Sequence, residues 1–123
     1  MAEIVDTRYY RGILVRVIDT NNVRVDVMCL GNMWLRNQKL KLHGIVCPNW
    51  RSEVPEVKQA ADLAMKEIKK HIAQGREYIF KIYGRDRMTC EIFVDGLNLN
   101  KHLLENGYAL YNFVKYFDEK LDF

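Results

Sequence analysis

Two β-branched segments joined by four consecutive polar residues constrain this chain more than any other feature. Residues 11–18 read Arg-Gly-Ile-Leu-Val-Arg-Val-Ile, the cluster Asp19-Thr20-Asn21-Asn22 follows, and residues 23–27 alternate Val-Arg-Val-Asp-Val. Alternation with period two places apolar side chains on one face of a strand and cannot lay a stripe along a helix, so the segment predicts a hairpin. A second turn signal, Gly31-Asn32, leads into residues 33–42, whose end alternates Lys39-Leu40-Lys41-Leu42. That pattern predicts a third strand directly after the second.

Ser52 offers a helix cap, Pro55 suits a first turn, and apolar residues recur at Val57, Ala60, Ala61, Ala64, Met65, Ile68 and Ile72 before Gly75. This predicts one long helix. Residues 77–83 and 88–94 return to strand character, Asp95-Gly96 is a tight-turn pair, and a short helix is expected over 99–106, stopped by Gly107. The aromatic residues Tyr108, Tyr111 and Phe113 follow. The fold class expected from this order is α+β, mainly β: a five-stranded OB-type Greek-key barrel with one long helix between strands 3 and 4 and a short C-terminal helix.

The 123 residues suffice for one buried core and are too few for two, and neither a repeat nor a linker divides them, so residues 1–123 are read as a single domain. Hydrophobic residues at 49% and charged residues at 28% exclude a charge-dominated disordered chain. The net charge of +3 is compatible with a polyanionic partner without requiring one. Cys29, Cys47 and Cys90 are odd in number and widely spaced, unlike a zinc site or a disulfide framework, and are read as reduced, buried thiols. Residues 1–10 carry Glu3 and Asp6 and lack the basic start and apolar run of a secretory signal, and no stretch approaches a membrane span. The expectation is an intracellular protein, cytoplasmic or nuclear, with no membrane partner.

The segment Lys41-Leu42-His43-Gly44-Ile45-Val46-Cys47-Pro48-Asn49 resembles a loop of the staphylococcal nuclease family, in which an arginine, two residues, Gly-Ile-Asp, a small residue and Pro-Glu follow the third strand. The stretch Tyr83-Gly84-Arg85-Asp86-Arg87, then Ile92-Phe93-Val94-Asp95-Gly96, Leu99-Asn100, Leu103 and Gly107-Tyr108-Ala109, is similar to that family's C-terminal half, and residues 19–23 resemble its Asp-Gly-Asp-Thr-Val turn. The likeness is strongest over residues 12–113 and keeps order and spacing.

The resemblance implies calcium held by carboxylates, a glutamate acting on water and two arginines facing the phosphorane. A hard cation needs several oxygen ligands, and phosphoryl transfer gains most from cations placed where negative charge develops. On the matching positions this chain has Asn21 and Val46 for the metal, Asn49 for the glutamate, Lys41 for the first arginine and Arg87 for the second. Asn21 offers a neutral oxygen, Val46 none, and Asn49 cannot take a proton near neutral pH. Lys41 keeps charge but loses the bidentate fork. No intact catalytic set and no calcium cofactor are therefore expected. A shifted site on Asp19, Asp26 or Asp86 competes with ordinary turn and strand roles, and a His43–Cys47 nucleophilic pair lacks a third group to orient the histidine.

OB-type barrels hold single-stranded nucleic acid with aromatic platforms and a basic groove. Lys39, Lys41, Arg85 and Arg87, with Tyr83, Phe113 and Lys115, are the residues that the resemblance gathers near the former active-site face. Mixed charges on the long helix read as a solvated face, locally basic at Lys66, Lys69, Lys70 and His71, while Trp34 and Trp50 follow turn signals and are candidates for a protein contact. The functional expectation is a catalytically degenerate nuclease-like domain that binds single-stranded DNA or RNA, or a protein partner. A residual or altered phosphodiesterase is the alternative.

Overall fold

The computed structural model describes residues 8–29, 32–84 and 88–111. Three long strands come first: β1 (Arg8–Val17), β2 (Asn22–Met28) and β3 (Trp34–Leu42), followed by the two-residue β4 (Ile45–Val46). Helix α1 (Pro55–His71) leads to β5 (Glu77–Tyr83) and β6 (Thr89–Val94). The short β7 (Leu97–Asn98), helix α2 (Leu99–Glu105) and β8 (Leu110–Tyr111) complete the order. The protein is α+β and mainly β.

Six strands form one sheet in the order β3-β2-β1-β5-β6-β7, and a further pairing of β3 with β6 closes β1, β2, β3, β6 and β5 into a ring of hydrogen bonds. Every pairing in this sheet is antiparallel except β3 with β6, where Lys41 faces Thr89 and Leu42 faces Cys90. The short strands β4 and β8 pair separately, Ile45 with Tyr111 and Val46 with Leu110. Five strands were expected; β4, β7 and β8 escape a periodicity reading because two residues carry no period.

The alternation that predicts the hairpin decides which side chains enter the ring. Val23, Val25 and Val27 point inward from β2, Leu40 and Leu42 from β3, Phe80 and Ile82 from β5 and Ile92 from β6, all essentially inaccessible. Burying each contributes about 1.5–3 kcal/mol. Gly12 in β1 exists because nothing larger fits: a Cβ there would lie 2.8 Å from Val25 Cγ1 and 2.9 Å from Phe80 Cδ2.

Helix α1 buries Ala61, Ala64, Met65 and Ile68, and Ile68 joins the core cluster with the sheet residues. Its start differs from expectation: Val54 occupies the cap position with no side-chain hydrogen bond, and Ser52 Oγ instead accepts from Val54 N at 3.1 Å. With Pro55 at the first helical position, one of the unpaired amides that a cap would satisfy is absent. The helix also stops at His71, short of Gly75, because Ile72 turns into extended backbone and buries itself. Gly75, at φ +82°, then makes the turn into β5. Asp95 and Gly96, both at positive φ, form the predicted two-residue turn between β6 and β7.

Helix α2 is tied to the ring by one buried side chain. Asn100 Nδ2 donates to Cys90 O at 2.9 Å and His43 O at 3.1 Å, and its Oδ1 accepts from Ile92 N at 3.2 Å. No helix among the described residues is long and apolar enough to cross a membrane.

Candidate functional site

The chain reverses between β1 and β2 through Asp19, whose carboxylate accepts from Asn21 N at 2.7 Å and from Asn22 Nδ2 at 3.0 and 3.2 Å. That Asx turn directs Asn21 inward, where it is 8% exposed. Its Oδ1 accepts from Cys47 N at 2.7 Å and its Nδ2 donates to Cys47 O at 3.0 Å. Thr20 Oγ1 donates to Pro48 O at 2.6 Å beside it. A carboxamide complements one backbone N–H and one C=O at once; a carboxylate, which only accepts, would face the Cys47 carbonyl with like polarity. Asn21, which the sequence resemblance sets at the first metal position, thus stitches the β1–β2 turn to the loop after β4.

The other positions that the resemblance singles out offer no carboxylate. Val46 is exposed in β4 and has no side-chain oxygen, and Asn49 Oδ1 accepts from Arg51 N at 3.0 Å in its own loop. The carboxylates that could serve a shifted site are also engaged. Asp19 holds the turn, and Asp26 accepts from Arg36 Nη1 at 3.2 Å and Asn37 N at 2.7 Å. Asp86 lies outside the described residues.

His43 and Cys47 each have other surroundings. His43 Nδ1 lies 2.7 Å from Thr89 Oγ1 and its ring stacks on Tyr83, with centroids 3.7 Å apart and planes at 8°. Cys47 is buried, which pushes its thiol up to about 12, with Asp19 adding to the effect. A thiol so shifted supplies almost no thiolate near neutral pH. Cys29 and Cys90 are likewise free, buried and raised by desolvation.

A cation–aromatic face occupies the outside of β1, β5, β6 and β3. Lys39 and Lys41 are exposed and alternate with the core residues Leu40 and Leu42. Lys41 pairs with Thr89 on β6, and Thr89 pairs with Tyr83 on β5, so Lys41 and Tyr83 stand two strands apart, about 10 Å. Lys81 Nζ lies 5.3 Å from the Tyr83 ring centre and 5.5 Å from that of Tyr9. Tyr9, 61% exposed, meets Phe93 at 5.7 Å. Beneath them, the Tyr83 hydroxyl donates to Glu91 Oε1 and Asn98 Nδ2 donates to Glu91 Oε2 at 2.6 Å. Burial pushes Glu91 up, but these hydrogen bonds, with Lys81 and His43 nearby, hold it below its ordinary value.

Of the residues expected at a nucleic-acid site, Lys39, Lys41 and Tyr83 are described: the two lysines alternate on β3, and Lys41 stands in the same cross-strand row as Tyr83, two strands away. Arg85, Arg87, Phe113 and Lys115 lie outside the described residues. The sequence reading missed Tyr9, His43 as a stacking partner, Lys81 and Phe93. Lys81 and Tyr83 were within reach of it, since residues two apart on a strand share a face. The Tyr9–Lys81 pairing depends on the β1–β5 register, which no local pattern encodes. Trp50 is exposed in its loop, while Trp34 is half-buried under the Arg36 guanidinium at 5.2 Å.

No protein-family model matches the chain, and a search of curated proteins gives no match.

Proposed function

We propose that this protein is a nuclease-like domain on an OB-type barrel that binds single-stranded nucleic acid without cleaving it. The OB-type reading is supported by the ring β1-β2-β3-β6-β5, by its parallel closure between β3 and β6, and by the long helix between the third and fourth long strands. The observation that carries the loss of catalysis is the Asn21 carboxamide, committed on both polar atoms to the Cys47 backbone. It leaves no charged oxygen at a position where a hard cation would need one.

The binding half of the proposal rests on the outer face. Bases stack on aromatic rings regardless of sequence, and lysines beside them meet phosphates. Tyr9, Tyr83 and Phe93 interleave with Lys81, and Lys41 stands about 10 Å from Tyr83 in the same cross-strand row, which supplies both elements. A protein partner is the second reading, favoured by an apolar groove formed by Val46, Pro48, Val57, Ala60, Tyr108 and Leu110, the last 72% exposed.

The test incubates the purified protein with a labelled single-stranded oligonucleotide, with and without calcium, and reads retention and cleavage separately. Retention of intact oligonucleotide in both conditions is the expected result. Calcium-dependent cleavage that co-purifies with the folded domain and is lost in Arg87→Ala would restore the nuclease reading. Absence of retention at low salt would leave the protein-partner reading.

A further inference from the structure

Side chains from two helices converge on one carboxylate oxygen. Glu67 Oε2 lies 3.1 Å from His71 Nε2 and 2.7 Å from His102 Nε2. One ligand-capable atom from each of the three residues falls within 4.8 Å of the others. Glu67 and His71 share a face of α1 at i and i+4, and burial of Leu99 and Leu103 turns α2 so that His102 reaches them. The two imidazole rings meet edge to face at 4.8 Å. The Glu67 side chain is 11% exposed and each histidine 23%, so the group is sheltered but reachable.

We propose that Glu67, His71 and His102 form a binding site for a divalent transition metal of the zinc class that ties α1 to α2. Two imidazole nitrogens and one carboxylate oxygen are a borderline-soft donor set, suited to zinc, cobalt, nickel or copper; calcium and magnesium demand more oxygens. Tetrahedral zinc with bonds of about 2.0–2.1 Å separates its ligand atoms by roughly 3.3 Å. The oxygen–nitrogen separations of 3.1 and 2.7 Å are close to that distance, and since the three ligand atoms lie within 4.8 Å of one another, loading has at most about 1.5 Å to close between any two.

The proton balance is simple. Each imidazole presents the Nε2 lone pair to the ion, and the proton now shared with Glu67 moves to Nδ1 or leaves to solvent. His102 Nδ1 lies 3.2 Å from Asn106 Nδ2, which also donates to His102 O at 2.8 Å, so loading breaks the contact at Nδ1 while the bond to the carbonyl can stay. A glutamate is ionised near neutral pH and needs no deprotonation before it ligates. Water completes the fourth position.

The test uses the whole metal-free chain. Zinc titrated by calorimetry should bind at one equivalent and raise Tm, whereas calcium and magnesium at equal concentration should not. Cobalt should give the visible absorption of a four-coordinate N/O site without thiolate charge-transfer bands. His71→Ala and His102→Ala, each confirmed folded by circular dichroism, should weaken zinc about tenfold or more. Three results would overturn the proposal: no saturable zinc binding by the wild type, unchanged affinity in both folded variants, or thiolate bands that move the ion to Cys29, Cys47 or Cys90. The cobalt spectrum of the wild type decides the matter even if a variant fails to fold.

Discussion

The Asn21 side chain reads the Cys47 peptide from both ends, accepting from its N–H at 2.7 Å and donating to its C=O at 3.0 Å. The first prediction follows from the asymmetry between carboxamide and carboxylate. Asn21→Asp keeps the acceptor but sets a buried charge against a carbonyl, at a cost on the order of 1–3 kcal/mol. Urea denaturation should show a lower midpoint with an unchanged m-value. A variant as stable as the wild type would mean that the clamp contributes nothing.

The same position allows a gain-of-function check. Asn21→Asp combined with Val46→Asp, Asn49→Glu and Lys41→Arg should acquire calcium binding, and calcium should recover part of the lost stability. A folded variant that takes up no calcium in calorimetry would contradict the placement of these positions around a former ion site.

Gly12 tests the ring itself. Gly12→Ala drives a methyl into Val25 and Phe80 in the middle of the core and should destabilise by about 1–3 kcal/mol. Phe80→Leu in the Gly12→Ala background should recover part of that loss, because it replaces the rigid ring edge at 2.9–3.0 Å with a smaller, flexible side chain, while Val25 Cγ1 at 2.8 Å remains. Simple additivity of the two losses in a thermodynamic cycle would show that the contact is not the cause.

Cys47 ties burial to pH. Its thiol is raised in the folded state from an ordinary value of 9.0 to about 12, so the fold favours the protonated form. The stability this contributes is complete below pH 9 and is lost as pH rises toward 12, when the unfolded chain can ionise and the folded one cannot. Thiol reagents at pH 8 should label Cys47 only on the unfolding timescale. Rapid labelling of Cys47 in the native protein, located by peptide mapping, would show that the thiol is accessible.

The long elements were legible because they repeat. Val23 to Val27 and Lys39 to Leu42 alternate strictly, and α1 carries apolar residues at helical spacing, so strand, strand and helix follow from local pattern. The ends were less legible: Ser52 looks like a cap, yet the proline at position 55 changes what the helix start requires. The roles of Asn21 and Asn100 were hidden, since each bonds backbone groups distant in sequence and its residue type fits a turn equally well. Glu67, His71 and His102 fall in one charged helix face and one short helix, and only the contact between α1 and α2 brings them together.

Salt dependence reports on binding through an outer face of lysines and aromatic rings. Fluorescence anisotropy of a labelled single-stranded oligonucleotide, titrated at several salt concentrations, gives a log–log slope of about 0.7 per phosphate contact. Lys39→Ala with Lys41→Ala should lower that slope by about 1.4. Tyr9→Ala should instead cost about 1–3 kcal/mol with the slope unchanged, because stacking is not ionic. Absence of binding by the wild type at the lowest salt, or a slope that the lysine substitutions do not move, would contradict the account.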